Sequence, residues 1–425
     1  MLVERHHEVL LIEQEDEVGG LLRSRNLSSG YTFDTGTHFL VPTSIPEVND
    51  LIFQDLPLSH CYQFKNSLLE GNYFNGVFNS VSGSIDTRTL SKDIHARGLV
   101  ELLSASKDTG THNNLKEKLV TVYGTTFTQH VFEPILRSFT GCSLEDLHPS
   151  ANLPYLLTRL IVLGSEASIQ IKKSDLYDSK IAWTKNSDGT SNILKLYPKT
   201  GGAGRWIAGL EERIRKLGVT IITGSSISSL EIKNANVSAV ILDNTRTIEL
   251  DSLVWTVPAA AFLKIAKVPI TSPPPSFRPV KIFDFIFDAE ILTDRHFVCC
   301  YDPDMVSFRI TLYPNIPLSP RANPPHHLTV EVFSEEEDLD VLRNRVTQEL
   351  ITMGIIPKEN KTLHFNSLEV RPGWPIITND FFDKADETLS LAQGVANNIT
   401  FVGRGKGPNS HFMVEVLEQV YGALP

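Results

Sequence analysis

The stretch VLLIEQEDEVGGLLRSR, residues 9–25, constrains the fold more than any other part of this chain. Glu8–Glu13 is a short apolar run bounded by acidic residues, and it reads as a strand. In a βαβ dinucleotide-binding unit the second strand ends in an acidic residue, whose carboxylate accepts hydrogen bonds from ribose hydroxyls. Glu13 stands at that place, although a Glu after a strand is also commonly just solvated. Gly19-Gly20 then lets the backbone turn tightly and approach a bulky ligand. Arg23 and Arg25 follow and offer forked donors to phosphate. A second small-residue turn, in GYTFDTGTHFL, supplies Asp34, Gly36, Thr37 and His38.

The rest of the chain separates two regular ends from a mixed middle. Residues 113–139 read as helical, with interruptions near Gly124 and Pro134. Residues 205–217 form an amphipathic helix: Ile207, Leu210, Ile214 and Leu217 recur at helical spacing, and Gly218 stands at the C-cap position. VTIITG is a strand, and residues 225–258 read as short strands joined by turns at Asn234-Ala235-Asn236 and Asp243-Asn244. Residues 275–335 are strand-rich and punctuated by proline. Residues 335–353 read as an acidic-capped helix, 399–403 as a last buried strand and 413–424 as a last helix. Strand and helix alternate at both ends, which indicates an α/β domain interrupted by a second domain.

With 425 residues, 41% of them hydrophobic, the chain can bury a sizeable core in two or three domains. A net charge of −11 argues against nucleic acid as the main partner. No apolar run approaches the roughly 20 residues of a membrane span, and the first residues lack a signal-peptide pattern. The four cysteines, Cys61, Cys142, Cys299 and Cys300, match no zinc or CxxC spacing. They read as buried thiols in a reducing, cytoplasmic setting. No His/Asp/Glu spacing suggests a metal site, and no Ser sits in a nucleophile elbow. His326-His327 lies in a Pro-rich loop and reads as solvated.

Taken together, LLIEQEDEVGGLLRSR and YTFDTGTHFL resemble the start of the flavoprotein superfamily of amine oxidases, protoporphyrinogen oxidase, carotenoid desaturases and UDP-galactopyranose mutase. Four later segments are similar to the family's, in its order: YPKTGGAGRWIAGLEERIRKLGVTI, GSSISSL, LDSLVWTVPAAAF and ITFVGRGKGPNSHFMVEVLEQVYGAL. The resemblance implies an α/β fold with a Rossmann-like FAD-binding domain of the GR2 flavoprotein type, interrupted by a mixed α+β substrate domain. It implies a discontinuous FAD-binding domain at 1–44, 200–274 and 390–425, a substrate domain at 45–95 and 275–389, and a helical insertion at 96–199. It also implies cofactor contacts at Glu13, Gly19, Gly20, Arg23, Gly36, Thr37, His38, Ile227, Pro258, Gly403, Arg404, Met413 and Val414. A helix N-terminus at Met413-Val414 suits the negative charge that a reduced flavin carries.

The family's first strand and its GxGxxG loop do not precede RHHEVLLIE. The leading expectation is that they lie upstream of Met1. The alternatives are a short product that holds FAD poorly and a chain that binds its ligand another way.

VYGTTFTQHVFEPILRSFTGC, YDPDMVSFRITLYPN and EVRPGWPI are similar to segments of the mutase and protoporphyrinogen-oxidase-like members. They offer Arg309 and Arg371 for anion binding, since guanidinium groups suit diphosphates. The resemblance makes His38 and Arg309 the catalytic candidates; the plainer readings are a positioning hydrogen bond and an ordinary ion pair. His411, before the last helix, is a further residue near the ring. The expected activity is an FAD-dependent oxidoreductase acting on a small molecule, with nucleotide-sugar or polysaccharide metabolism as the leading setting. The alternatives are a redox-neutral flavin-dependent sugar mutase and a truncated, non-catalytic flavoprotein-like chain.

Overall fold

A computed structural model describes residues 2–3, 6–65, 67–108, 110–182, 194–270, 273–318, 322–406 and 412–423. The chain begins with β1 (Leu10–Ile12), the hairpin β2 (Ser24–Asn26) and β3 (Thr32–Asp34), and helix α1 (Pro46–Phe53). The strands β4 (Cys61–Lys65), β5 (Glu70–Phe74), β6 (Val77–Asn79) and β7 (Ile85–Asp86) follow. A helical region comes next: α2 (Lys92–Ser104), α3 (Leu115–Tyr123), the short α4 (Thr125–Phe127) and α5 (Glu133–Thr140). It continues through β8 (Leu160–Ile161), α6 (Ser165–Ile171) and α7 (Asp175–Asp178). Gly124 ends α3, and a π-helical turn at Thr128–Phe132 runs directly into α5, so the helical run is irregular just ahead of Pro134, as the sequence suggests.

The chain then runs through β9 (Leu194–Pro198), which pairs with β4, and α8 (Gly204–Lys216). After α8 come β10 (Thr220–Ile222), the antiparallel β11 (Ile227–Lys233), β12 (Asn236–Leu242) and β13 (Arg246–Glu249), then β14 (Leu253–Trp255) and α9 (Ala259–Ile265). The two tight turns fall at Asn234-Ala235 and Asp243-Asn244, and all four residues have positive φ, as turns matched to strand twist require.

The middle of the fold is a seven-stranded sheet. Its later strands are β15 (Phe277–Phe287), β16 (Phe297–Cys300), β17 (Ser307–Leu312), β18 (His326–Val332) and, beyond α10 (Leu339–Thr352), β19 (Thr362–Pro375). The spatial order is β19-β15-β18-β17-β16-β5-β6. Asp338 caps α10 by accepting from the Asp340 and Val341 amides, which agrees with the acidic cap in the sequence. The chain closes with α11 (Phe381–Gln393), β20 (Ile399–Phe401) and α12 (Met413–Ala423).

Two parallel ribbons carry the strands expected at the chain's ends. β1 pairs with β10, Leu10 opposite Thr220, and β14 pairs with β20, Trp255 opposite Phe401. Ile12, Ile222 and Ile399 lean on one shared core with Val237, Val240 and Leu242. Among the described residues each ribbon has only two strands, and β1 is half-buried along its length.

His326 and His327 correct the sequence reading. They begin β18 rather than standing in solvent. His326 is buried, its Nδ1 accepts from the Ile291 amide at 3.0 Å, and its Nε2 lies 2.8 Å from the Ala322 carbonyl. His327 stacks on Tyr313 with ring centroids 4.8 Å apart, and burial pushes its pKa down to about 4. The four cysteines are free thiols; Cys61 and Cys300 are buried as expected, whereas Cys142 and Cys299 are only half-buried. Burial pushes the Cys299 thiol up to about 12, so it is no nucleophile at neutral pH.

Candidate functional site

Alternation along the strands gives the seven-stranded sheet two different faces. Ile310 and Leu312 of β17, Leu328, Val330 and Val332 of β18, and Phe283, Phe285 and Phe287 of β15 point to one side, under Leu342, Val346 and Leu350 of α10. Their neighbours point to the other side and form a polar belt. Asp284 stands opposite Thr329, which stands opposite Thr311. One rung along, Glu331 stands opposite Arg309, which stands opposite Cys299. One apolar cluster flanks the belt at Phe33, Ile286 and Tyr313, and another at Val280, Ile282 and Phe308.

The N-terminal motifs dock on this belt. Arg309 forms a bidentate pair with Glu331, Nε–Oε1 2.6 Å and Nη2–Oε2 3.0 Å, while its guanidinium lies 5.6 Å from the centre of the Trp374 ring. Glu331 Oε1 also accepts the Thr37 amide at 3.1 Å, and the Thr37 and Thr311 hydroxyls are 2.5 Å apart. Gly36 has φ +95°, and a Cβ there would lie 3.0 Å from Glu331 Oε1, so only glycine admits the carboxylate. His38 Nε2 lies 2.9 Å from the Thr35 carbonyl. A carbonyl only accepts, so Nε2 carries the proton and Nδ1 keeps a lone pair. Burial holds the His38 pKa below its usual value; Asp34 and Glu331 push it up and Arg309 pushes it down.

Asp34 is fully buried, and its carboxylate ties the β2–β3 hairpin to the stretch from β9 to α8. It accepts from Ser24 Oγ at 2.5 Å, from the Tyr197 hydroxyl at 2.7 Å and from the Ala203 amide, just before α8, at 3.0 Å. Gly202, at φ +62°, makes room, since a Cβ there would clash with Asp34 Oδ1. The Asp34 amide donates to Tyr313, so the same residue joins the hairpin to the sheet. Arg25 belongs to this seam. Its guanidinium pairs with Asp284 at 2.7 Å, which corrects the expectation that it serves phosphate. Burial raises the Asp284 pKa and Arg25 opposes the shift.

The other expected cofactor residues are placed as follows. Leu22 (after Gly19-Gly20), Leu40 (after the His38 turn), Ile207 of α8 and Met413 at the start of α12 pack in one cluster, so four segments far apart in sequence converge. The side of Gly19 that would carry a Cβ is filled by Ile207, whereas that of Gly20 faces open space. Arg23 donates to the Gly20 and Glu17 carbonyls and so holds its own loop. Glu13 accepts the Glu15 amide at 3.0 Å. Ile227 opens β11 and packs near Ile399, and Pro258 precedes the first turn of α9. Gly403, buried with φ +58°, has Val416 of α12 as its nearest neighbour on the Cβ side, at 3.5 Å. Val414 sits in the first turn of α12, where the Phe412 amide donates to Glu415. The Arg404 side chain and His411 lie outside the described residues. Arg371 is exposed and paired with Glu369 at 2.8 Å. A cleft of about 400 Å³ between the Asp16–Arg23 loop and α8 includes none of the His38 turn, Arg309 or α12.

Glu331, Asp284 and Tyr313 complete this arrangement, and the sequence reading singled out none of them. Their only signal was strand alternation, which set Glu331 and Thr329 on the face opposite Val330 and Val332.

These features, an α/β body with a Gly-Gly turn and a buried His turn set against a polar sheet face, define a flavoprotein-like class of fold. The sequence matches the profile of the flavin containing amine oxidoreductase family over residues 1–354, and the chain belongs to that family. The family is flavin-containing, and FAD is its cofactor. The structure superposes on reduced UDP-galactopyranose mutase with a TM-score of 0.72 at 16% identity, over 99% of this chain and 90% of that one. An Exiguobacterium protein assigned as a protoporphyrinogen oxidase gives 0.68 at 15% identity over 99% and 93%. An oxidoreductase from Methanosarcina mazei gives 0.60 at 14% over 99% and 96%. Such low identities speak for the fold alone. No curated protein matches the sequence. Among the described residues no helix is long and apolar enough to cross a membrane, and no group of side chains could hold a metal ion.

The residues present fit a flavin. Gly20 leaves its backbone open to a ligand, and Leu22, Leu40 and Met413 of α12 belong to one apolar cluster.

Proposed function

We propose that this chain is an FAD-dependent oxidoreductase that removes hydride from a C–H or C–N carbon of a small organic molecule. The observation that carries this reading is that Leu22 and Leu40, which follow the Gly19-Gly20 and Thr35–His38 turns, share one core with Met413 of α12, while the Thr37 amide donates to Glu331 on the polar sheet face. Bound flavin would supply a two-electron acceptor. Gly20, Arg23, Gly403, Met413 and Val414 would hold it, with Glu13 and Ile227 at the far end. His38, kept neutral by burial and with Nδ1 unprotonated, would take the proton that leaves a substrate N–H or O–H as the hydride departs. Asp34 and Glu331 keep the turn rigid, which fixes the imidazole relative to the belt.

The same geometry favours oxidation over a redox-neutral sugar mutase. That reaction needs arginines to grip a nucleotide diphosphate, and both Arg309 and Arg371 are already paired with carboxylates. The test is a visible spectrum of the purified chain, before and after incubation with FAD and with an added upstream strand–turn–helix. Anaerobic addition of neutral amines and apolar unsaturated compounds follows, with UDP-galactose as the contrast. A flavin spectrum bleached by a neutral substrate supports the reading. A folded chain that takes up no flavin in any form overturns it.

A further inference from the structure

We infer that Glu331 is a positioning and specificity-determining residue. By clamping Arg309 against the Gly36–His38 turn, it closes this end of the site to anionic substrates and selects an uncharged one. The inference rests on the oxidoreductase reading above.

Three contacts converge on this one carboxylate: the two arms of the Arg309 guanidinium, at 2.6 and 3.0 Å, and the Thr37 amide, at 3.1 Å. Arg309 is the more open partner, its side chain 19% exposed against 4% for Glu331. An incoming anion could therefore reach the guanidinium, but it would do so against the negative charge directly beneath. Drawing Arg309 away would leave Glu331 buried without its cation, which is strongly unfavourable. The aromatic faces of Phe308 and Trp374, 5.7 and 5.6 Å from the guanidinium carbon, restrain Arg309 further. Two more cations near this face are committed in the same way, Arg25 to Asp284 at 2.7 Å and Lys195 to Glu70 at 3.0 Å, whereas Arg278, over the Phe333 ring, donates to the Ser138 carbonyl. The charges around Arg309 are thus matched, and the fit there is to a neutral molecule. A nucleotide diphosphate or a carboxylate tail is disfavoured there.

The test is calorimetric titration of the full chain, with inorganic pyrophosphate and with UDP, in the parent, Glu331→Gln and Glu331→Gln/Arg309→Gln. Gln keeps the acceptor for the Thr37 amide but removes the charge that neutralises Arg309. The expected result is at least tenfold tighter anion binding in E331Q than in the parent, with the gain abolished when Arg309 is also replaced. Two results overturn the inference: parent binding that is lost on Arg309→Gln, or a folded E331Q that gains nothing. If E331Q does not fold, parent against Arg309→Gln still decides. Equal anion affinity in the two supports the clamp, and a loss in the variant refutes it. The visible spectrum of each variant reports flavin uptake separately, so failure of the oxidoreductase reading is distinguishable from failure of the clamp.

Discussion

On one face of the seven-stranded sheet, Phe283, Phe285 and Phe287 lie under α10; on the other, a single residue away along the same strand, Asp284 carries an ion pair. The first face is stabilised by area removed from water, with Phe285 and Phe287 stacked at 5.2 Å. The second holds paired charges, which add little net stability but lose much when one partner is removed. One face thus serves the fold, and the other holds the residues of the proposed site.

The largest test of this division is Phe285→Ala. It should cost about 3–5 kcal/mol of stability, read by urea unfolding, with flavin uptake per folded chain unchanged. A shift in the flavin spectrum of the folded variant would show that the two faces are not separable.

Next comes pH. Burial holds His327 and His296 near pKa 4, below the ordinary 6.5. As pH falls, the unfolded chain therefore takes up protons first. The stability from these two groups is complete above pH 6.5 and drains away toward pH 4, by up to about 3 kcal/mol for each. Melting temperature between pH 7 and 4 checks this, and replacing His327 by Phe should flatten the slope.

Third is Asp284→Ala, which strands Arg25 at the seam. Because Arg25 keeps 27% exposure, the expected loss is about 2 kcal/mol, below the range for a fully buried pair. Its signature is a change in flavin affinity larger than any that Phe285→Ala produces. The smallest effect belongs to Arg371→Gln. That exposed pair lies away from the belt, and neither melting temperature nor flavin binding should change measurably.

Local physics made much of the fold legible. The Asn234-Ala235 and Asp243-Asn244 turns fell where expected, because Asn and Asp accept positive φ more readily than most residues, and Ala235 follows its neighbour into that region. The helix ending at Lys216, with Gly218 at φ +92° just beyond, followed from apolar spacing and a C-terminal glycine. His326 and His327 were misread because neighbouring prolines suggest a loop. Whether the histidines meet water depends on Ile291 and Tyr313, which no local pattern reveals. Arg25 was misread for the same reason, since its partner Asp284 is 259 residues away.

The sequence by itself determined the α/β class, the places of most strands and helices, and the motifs that carry the family, since these depend on side-chain period and backbone preference over a few residues. Only the tertiary structure decided what the charged residues do. Whether Arg309 is an anion grip or a clamped pair turns on Glu331 lying opposite it across β17 and β18. Whether Asp34 faces a ligand or ties the hairpin to α8 turns on Ala203 and Tyr197. Electrostatic interactions are set by distance and burial in space, and strand pairing brings together residues that sequence separation keeps apart.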